Sequence, residues 1–329
     1  MRAGHGNSKN DPRRVQHRKA GKAATIYGRI FLAGPGVIYS LTPKEMIRQV
    51  HRNSHVVDAK NKVKILLISD LHWDNPKCHR ETLKRHLDWA VKEGALIAVN
   101  GDFFCLMQGK YDPRGSKKDI RPEHNKANYL DAVIEDAVDW FGPYANHLQF
   151  IGYGNHETNI LKRLETDPLR RFVDLFNYTY KPVKPLWLGG YGGWLNVQFK
   201  PTKTRSKSYR IHYFHGNGGG GIVTKGVIQN QRRDAMTEGA NCIWMGHVHE
   251  LYTMVVTKHT IDKNFMPQLM DVLHVRTAAY KEEYDGGFGG WHIERGAPPK
   301  PIGAVMLEIG VNHSNELYAI PTTITDKTH

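Results

Sequence analysis

VKILLISDLH, residues 63–72, opens on an apolar run interrupted only by Lys64 and leads through Ser69 to a carboxylate, Asp70, with an imidazole two residues further on. A predominantly apolar run such as Val63–Ser69 is the pattern of a strand covered on both faces, as in the middle of a parallel sheet. Working outward, the same arrangement recurs. Leu96–Asn100 (LIAVN) runs into Gly101-Asp102. Leu148–Gly152 runs into Gly154-Asn155-His156-Glu157. Arg210–His215 ends in an imidazole, and Asn241–Met245 runs into Gly246-His247-Val248-His249. Side chains just past strand ends meet at one edge of a sheet, where α/β proteins build their sites.

Between these strands the period changes. Arg80–Glu93 carries Leu83, Leu87, Ala90 and Val91 at helical spacing, and Tyr129–Phe141 carries Leu130, Val133, Ala137 and Val138. Alternating strands and helices predict a predominantly α/β body from residue 63 to residue 329. Residues 1–62 read as a separate basic N-terminal arm and helix. Residues 1–24 are basic and poor in apolar side chains, and Ile26–Leu41 suggest a packed loop or short strand. Thr42-Pro43-Lys44-Glu45 forms a capping box with proline in the first turn, which predicts a helix to about Asn53. Lys44, Arg48 and Arg52 would share one face of it. The glycine runs 218–221 and 286–290 predict loops.

Asp70, His72, Asp102, Asn155, His215, His247 and His249 offer carboxylate, imidazole and amide oxygen, the donors that hold paired divalent transition metals. Paired metals are a standard device for cleaving phosphate esters. The ordered series D-x-H, G-D, G-N-H-E, H-G, G-H-x-H resembles the calcineurin-like metallophosphoesterase superfamily. The match runs from Asp70 to His249, and strands completing the fold would extend to the region of Ile324. The resemblance implies two facing mixed β-sheets with helices outside. It implies one metal on Asp70, His72 and His249, a second on Asn155, His215 and His247, and Asp102 bridging them. The metals would be Mn foremost, with Fe or Zn as alternatives, and the nucleophile would be a bridging hydroxide. It also implies that His156 faces the substrate phosphate, as general acid or as a hydrogen-bonding orienter. His212 is the rival of His215, but it points to the opposite face of its strand.

The chain departs from the protein Ser/Thr phosphatases, whose second motif continues G-D-x-x-D-R-G with the extra Asp supporting the histidine. Here Cys105 stands in place of that Asp and no Arg-Gly follows, which disfavours a protein phosphatase. The orienting partner of His156 is left open, with Asp74 one candidate. Gln108–Lys126 reads as a basic loop over the site, with Arg114, Lys117, Lys118 and Arg121 as candidate substrate contacts. Tyr280, Tyr284, Phe288 and Trp291 could stack on bases or pack in the core.

Net charge is +14, and residues 1–62 hold +10 of it, 13 Lys/Arg against Asp11, Glu45 and Asp58. A basic arm on a nearly balanced body points to an anionic partner such as nucleic acid. Three cysteines without a C-x-x-C suggest a reduced, cytoplasmic setting. No apolar stretch approaches the ~18 residues of a membrane span, and the first residues lack the apolar core of a secretory signal. The combined reading is a two-metal phosphodiesterase hydrolysing nucleic acid or a nucleotide derivative. The alternatives are a phosphomonoesterase or nucleotide pyrophosphohydrolase on a small substrate, and a non-catalytic scaffold. The scaffold is disfavoured because all seven ligand positions and His156 are present.

Overall fold

The computed structural model describes residues 45–106, 119–200, 206–284, 291–294 and 296–328. In chain order the first half forms β1 (Met46–His51), β2 (Ser54–Ala59), β3 (Lys62–Ile68), α1 (Arg80–Lys92), β4 (Leu96–Asn100), α2 (Tyr129–Phe141), β5 (Leu148–Gly152), α3 (Asn155–Leu164) and α4 (Pro168–Tyr180). The second half forms β6 (Trp187–Leu188), β7 (Gly192–Phe199), β8 (Lys207–Phe214), α5 (Val227–Ala235), β9 (Cys242–Met245), β10 (Tyr252–Ile261), β11 (Pro267–Arg276), α6 (Trp291–Glu294), β12 (Gly303–Val311) and β13 (Leu317–Thr325).

The strands make two mixed sheets. A six-stranded sheet has the order β13-β12-β3-β4-β5-β6, and a seven-stranded sheet has the order β1-β2-β7-β8-β9-β11-β10. The β3, β4 and β5 strands are parallel neighbours, and every residue of β4 and β5 is buried. That is why their sequences read as largely apolar runs, with Gln149 inside β5 and Asn100 at the end of β4 as the polar exceptions.

The inward faces of the two sheets pack on each other through Ile65, Leu67 and Phe150 on one side and Leu195, Ile211, Tyr213 and Trp244 on the other. The outer face of the six-stranded sheet is covered by α1, α2 and α4, through Leu83, Leu87, Val133, Phe141 and Phe172 against Leu66, Ile97 and Val99. Ile243 and Met245 lie in a smaller cluster on the outer face of the seven-stranded sheet. The fold class is therefore a sandwich of two mixed sheets flanked by helices.

The helix expected from Thr42 to Asn53 is corrected. Met46–His51 is a strand, paired antiparallel with β2, which pairs parallel with β7. Residues 46–59 thus belong to the seven-stranded sheet. Ile47 is 1% exposed, and its amide and carbonyl are taken by Gln149 Oε1 (2.8 Å) and Trp187 Nε1 (2.9 Å). Burial and long-range hydrogen bonds override a local capping signal. Arg48 and Arg52 therefore share no helix face, Arg48 instead pairs with Asp58 at 2.6 Å, and Lys44 lies outside the described residues. The arm over residues 1–24 and the segment 26–41 lie outside the described residues, as does the glycine run 286–290. Among the described residues no helix is long and apolar enough to cross a membrane. Cys78, Cys105 and Cys242 are buried and unpaired.

Candidate metal centre

Both sheets deliver side chains to one edge. Asp70 follows β3, Asp102 follows β4, Asn155 opens α3 just after β5, His215 ends β8, and His247 and His249 follow β9. Five residues of these motifs have left-handed backbone: Asp70 (φ 53°), His72 (45°), Asp102 (48°), His247 (75°) and His249 (57°). Each such residue costs ~1–3 kcal/mol and persists only where its surroundings fix it. Here the fixing contacts are backbone hydrogen bonds between neighbouring motifs. Asp70 and His72 donate to the carbonyls of Gly101 and Asp102, both at 3.0 Å, and Trp73 donates to Phe103 at 2.9 Å. Trp73, Phe103 and Phe104 are fully buried and anchor the two turns. Glycine is required at two contacts. A Cβ on Gly246 would lie 2.5 Å from Asp70 Oδ2, and one on Gly154 would lie 2.1 Å from Asp102 Oδ1.

The seven ligand-type residues converge. Asp70 Oδ2 accepts from the His247 amide at 2.9 Å, while Oδ1 lies 3.5 Å from His249 Nε2 and 3.9 Å from His215 Nε2. Asp102 Oδ1 accepts from the His156 amide at 3.0 Å. Its Oδ2 faces His215 Nε2 at 3.2 Å and His72 Nε2 at 4.0 Å, so this carboxylate stands between the two halves of the cluster. Asn155 Oδ1 is 3.3 Å from His215 Nε2. Ligand atoms of Asp70, His72 and His249 lie within 4.8 Å of one another, and so do those of Asp102, His215 and His247.

These residues fit a cation. Asp70 Oδ1 and both ring nitrogens of His72 are buried without a hydrogen-bond partner, and orphaned buried polar atoms are rare unless something else satisfies them. Burial opposes charge on Asp102 and Asp70. Even so, His215 and further imidazoles, His156 for Asp102 and His249 for Asp70, hold both below the usual carboxylate range. Burial likewise opposes a proton on His215, yet Asp102 and Asp70 raise it to about 10. Two buried, ionised carboxylates that hold a proton on the neighbouring His215 this firmly form a site for positive charge. His215 Nδ1 meets the Asn100 carbonyl at 2.7 Å, which leaves Nε2 as the ligating nitrogen. His212 instead stacks edge-on against Trp194 at 5.0 Å, away from the cluster.

The partner of His156 is a backbone carbonyl. Its Nδ1 meets Cys105 O at 2.6 Å. Asp74 holds that carbonyl in place by accepting from the Cys105 amide (2.5 Å), the Leu106 amide (2.8 Å) and the Tyr129 hydroxyl (3.1 Å). Asp74 therefore acts one step removed. Sequence reasoning also passed over Glu157, although its acidic side chain ends the G-N-H-E motif. Glu157 is buried and accepts from the amides of Gly154 (2.8 Å), Phe104 (2.9 Å) and Asp102 (3.2 Å). Burial first, then the Asp102 charge, push it up to about 8. Arg276 was missed as well. It is buried and donates to the Gly246 carbonyl at 2.6 Å, behind the histidine turn, and no sequence motif marks it.

Arg121 donates to the carbonyls of Asn75 (3.1 Å) and Cys78 (3.3 Å), so it braces the chain after the first motif. Arg114, Lys117 and Lys118 lie outside the described residues, as do Phe288 and the Trp291 side chain. Tyr280 is a core residue, fully buried with its hydroxyl on His86 Nδ1 at 2.8 Å, and not an exposed base platform. A further cluster, Glu123, His124 and Asp136, is balanced by Arg80, 3.7 Å from Glu123 and 3.6 Å from Asp136.

No protein-family model matches the sequence, and a comparison with curated proteins finds no relative. Among solved structures the chain is similar to a predicted phosphoesterase from Streptococcus pneumoniae, a conserved uncharacterised protein. That likeness is 11% identical over 81% of this chain and 100% of that one, with a TM-score of 0.27. It is similar to GAP50, the anchor in the inner membrane complex of Plasmodium (9%, 82% and 86%, TM-score 0.39). It is also similar to Vps29 of Chaetomium thermophilum (9%, 80% and 99%, TM-score 0.31). At these values the likeness concerns the chain path and carries nothing about activity.

Proposed function

We propose that the chain is a metal-dependent phosphoesterase of the calcineurin-like kind, acting as a phosphodiesterase on nucleic acid or a nucleotide derivative. The observation that carries this reading is the convergence of seven ligand-type side chains at one sandwich edge, with Asp70 Oδ1 and both His72 nitrogens lacking hydrogen-bond partners. Asp70, His72 and His249 would hold one divalent metal, and Asn155, His215 and His247 a second, with Asp102 shared. Bound there, the metals would neutralise phosphate oxygens and acidify a water toward neutral pH.

The chain's own groups orient this chemistry. The Asn100 carbonyl fixes the His215 tautomer, and Glu157 holds the backbone that carries Asp102. With Nδ1–H on the Cys105 carbonyl, His156 keeps Nε2 for the substrate, where it can give a proton to the leaving oxygen. The polymer or nucleotide preference is supported by the +10 charge of residues 1–62.

Metal analysis of the purified chain and a panel assay test the proposal together. The panel contains bis-p-nitrophenyl phosphate, p-nitrophenyl phosphate, single- and double-stranded DNA, RNA and cyclic nucleotides with Mn. Two metals per chain and faster turnover of diesters are expected. Monoester turnover above diester turnover would move the reading to a phosphomonoesterase. Absence of both metal and turnover would end it.

A further inference from the structure

A cavity of about 310 Å³ opens between the loop after His215 and α5, at the lower end of small-ligand sites. Its walls continue the metal centre along the chain. Asn217 lies two residues after His215, and Met245 lies two residues before His247. The intervening loop runs along the histidine turn, since a Cβ on Gly220 would meet Val248 Cβ at 3.2 Å. Gln229 pins that loop by donating to the carbonyls of Asn217 (3.0 Å) and Gly219 (3.1 Å).

Two cations line this cavity without a carboxylate to balance them. Arg232 and Arg233 make no ion pair among the described residues. Asp234, the next acid along the chain, is taken by Lys258 and by His274 at 3.0 Å. The Arg233 guanidinium lies 3.6 Å from the centroid of the Phe214 ring, and its Nε is buried with no hydrogen-bond partner. A guanidinium held against an aromatic face is pre-positioned for a planar, bidentate contact with an oxyanion.

We propose that this cavity is an anion subsite that takes a phosphate of the substrate next to the one being cleaved. The proposal rests on the phosphoesterase reading and deepens it: the preferred substrates are nucleotides or oligonucleotides with at least one further phosphate.

Equilibrium binding of pTpTp and TpT to the full chain in Mn tests it, alongside turnover of bis-p-nitrophenyl phosphate. The wild type should bind pTpTp more tightly than TpT. Arg232→Gln should weaken pTpTp severalfold, and Arg232→Gln/Arg233→Gln about tenfold or more, with TpT binding and bis-p-nitrophenyl phosphate turnover unchanged. Because Arg233 packs on Phe214, the single Arg232 variant keeps the test valid if the double variant folds poorly. Lys62→Gln, at the far end of β3, controls for loss of net charge. Equal binding of the two ligands by the wild type, equal weakening of both in the Arg232 variant, or the same loss in Lys62→Gln would overturn the subsite. Arginine-dependent binding without hydrolysis of any diester would keep the subsite and remove the phosphoesterase reading. Diester hydrolysis without arginine dependence would do the reverse.

Discussion

Asp102 connects the two halves of the centre. One oxygen accepts from the His156 amide, the other faces His215 and His72, and its own amide is held by Glu157. Asp102→Asn removes the charge but keeps the shape. Metal analysis of that variant should find fewer than two metals per chain, and turnover should be abolished. Full activity with two metals bound would reject the bridging role. His156 presents a different case, because its ring is oriented by a neutral carbonyl. If it acts as general acid, His156→Ala should lose ~10²–10⁴-fold on a nucleoside leaving group and little on p-nitrophenolate, with metal content unchanged. Equal losses on both would make it a phosphate orienter. Asp74→Asn should reproduce part of the selective loss, since it loosens the Cys105 carbonyl that fixes the His156 tautomer.

At the scale of elements, β2 shows what burial between two sheets does to a histidine. His55, Val57 and Ala59 face inward, and the His55 ring is fully buried, 5.1 Å from Phe150, with both nitrogens unpartnered. Burial lowers its pKa to about 4. The folded ring is therefore neutral where the unfolded one, near ~6.5, already takes a proton. Stability is undiminished above that pH and falls as the pH drops toward 4, because the unfolded chain binds the extra proton. His55→Phe should remove this part of the acid sensitivity. Calorimetry at pH 7 and pH 5 checks it, and an equal drop in Tm for both proteins would exclude His55 as the cause. The same inward packing explains the strand at Met46–His51, whose Ile47 is held by Gln149 and Trp187 from distant parts of the chain.

For the whole molecule, charge separation carries its own prediction. Deleting residues 1–22 removes Arg2, Lys9, Arg13, Arg14, Arg18, Lys19 and Lys22 against Asp11 and touches none of the seven candidate ligands. Turnover of a small chromogenic diester should be unchanged. Affinity for DNA or RNA should weaken, and the slope of log affinity against log salt should become shallower, because fewer counterions are released. Titration at several salt concentrations measures both. Unchanged slope and affinity would favour a small substrate.

The buried parallel strands were legible in the sequence because strands covered on both faces are predominantly apolar, with buried Gln149 of β5 kept by its bond from the Ile47 amide. Leu96–Asn100 and Leu148–Gly152 have the bounds their apolar runs suggest. The seven ligand-type side chains were legible too, since polar residues just past apolar runs stand out against them. What the chain could not declare locally was decided by tertiary contacts. The capping box at Thr42–Glu45 is a sound local signal, but pairing with β2 and burial of Ile47 outweigh it. Cys105 reads as a lost catalytic support, and only the fold brings its carbonyl to His156 and Asp74 beneath it. Arg276 and Glu157 are ordinary charged residues in the sequence. Their roles come from burial, where a charged group must find partners and in doing so fixes the backbone of the site.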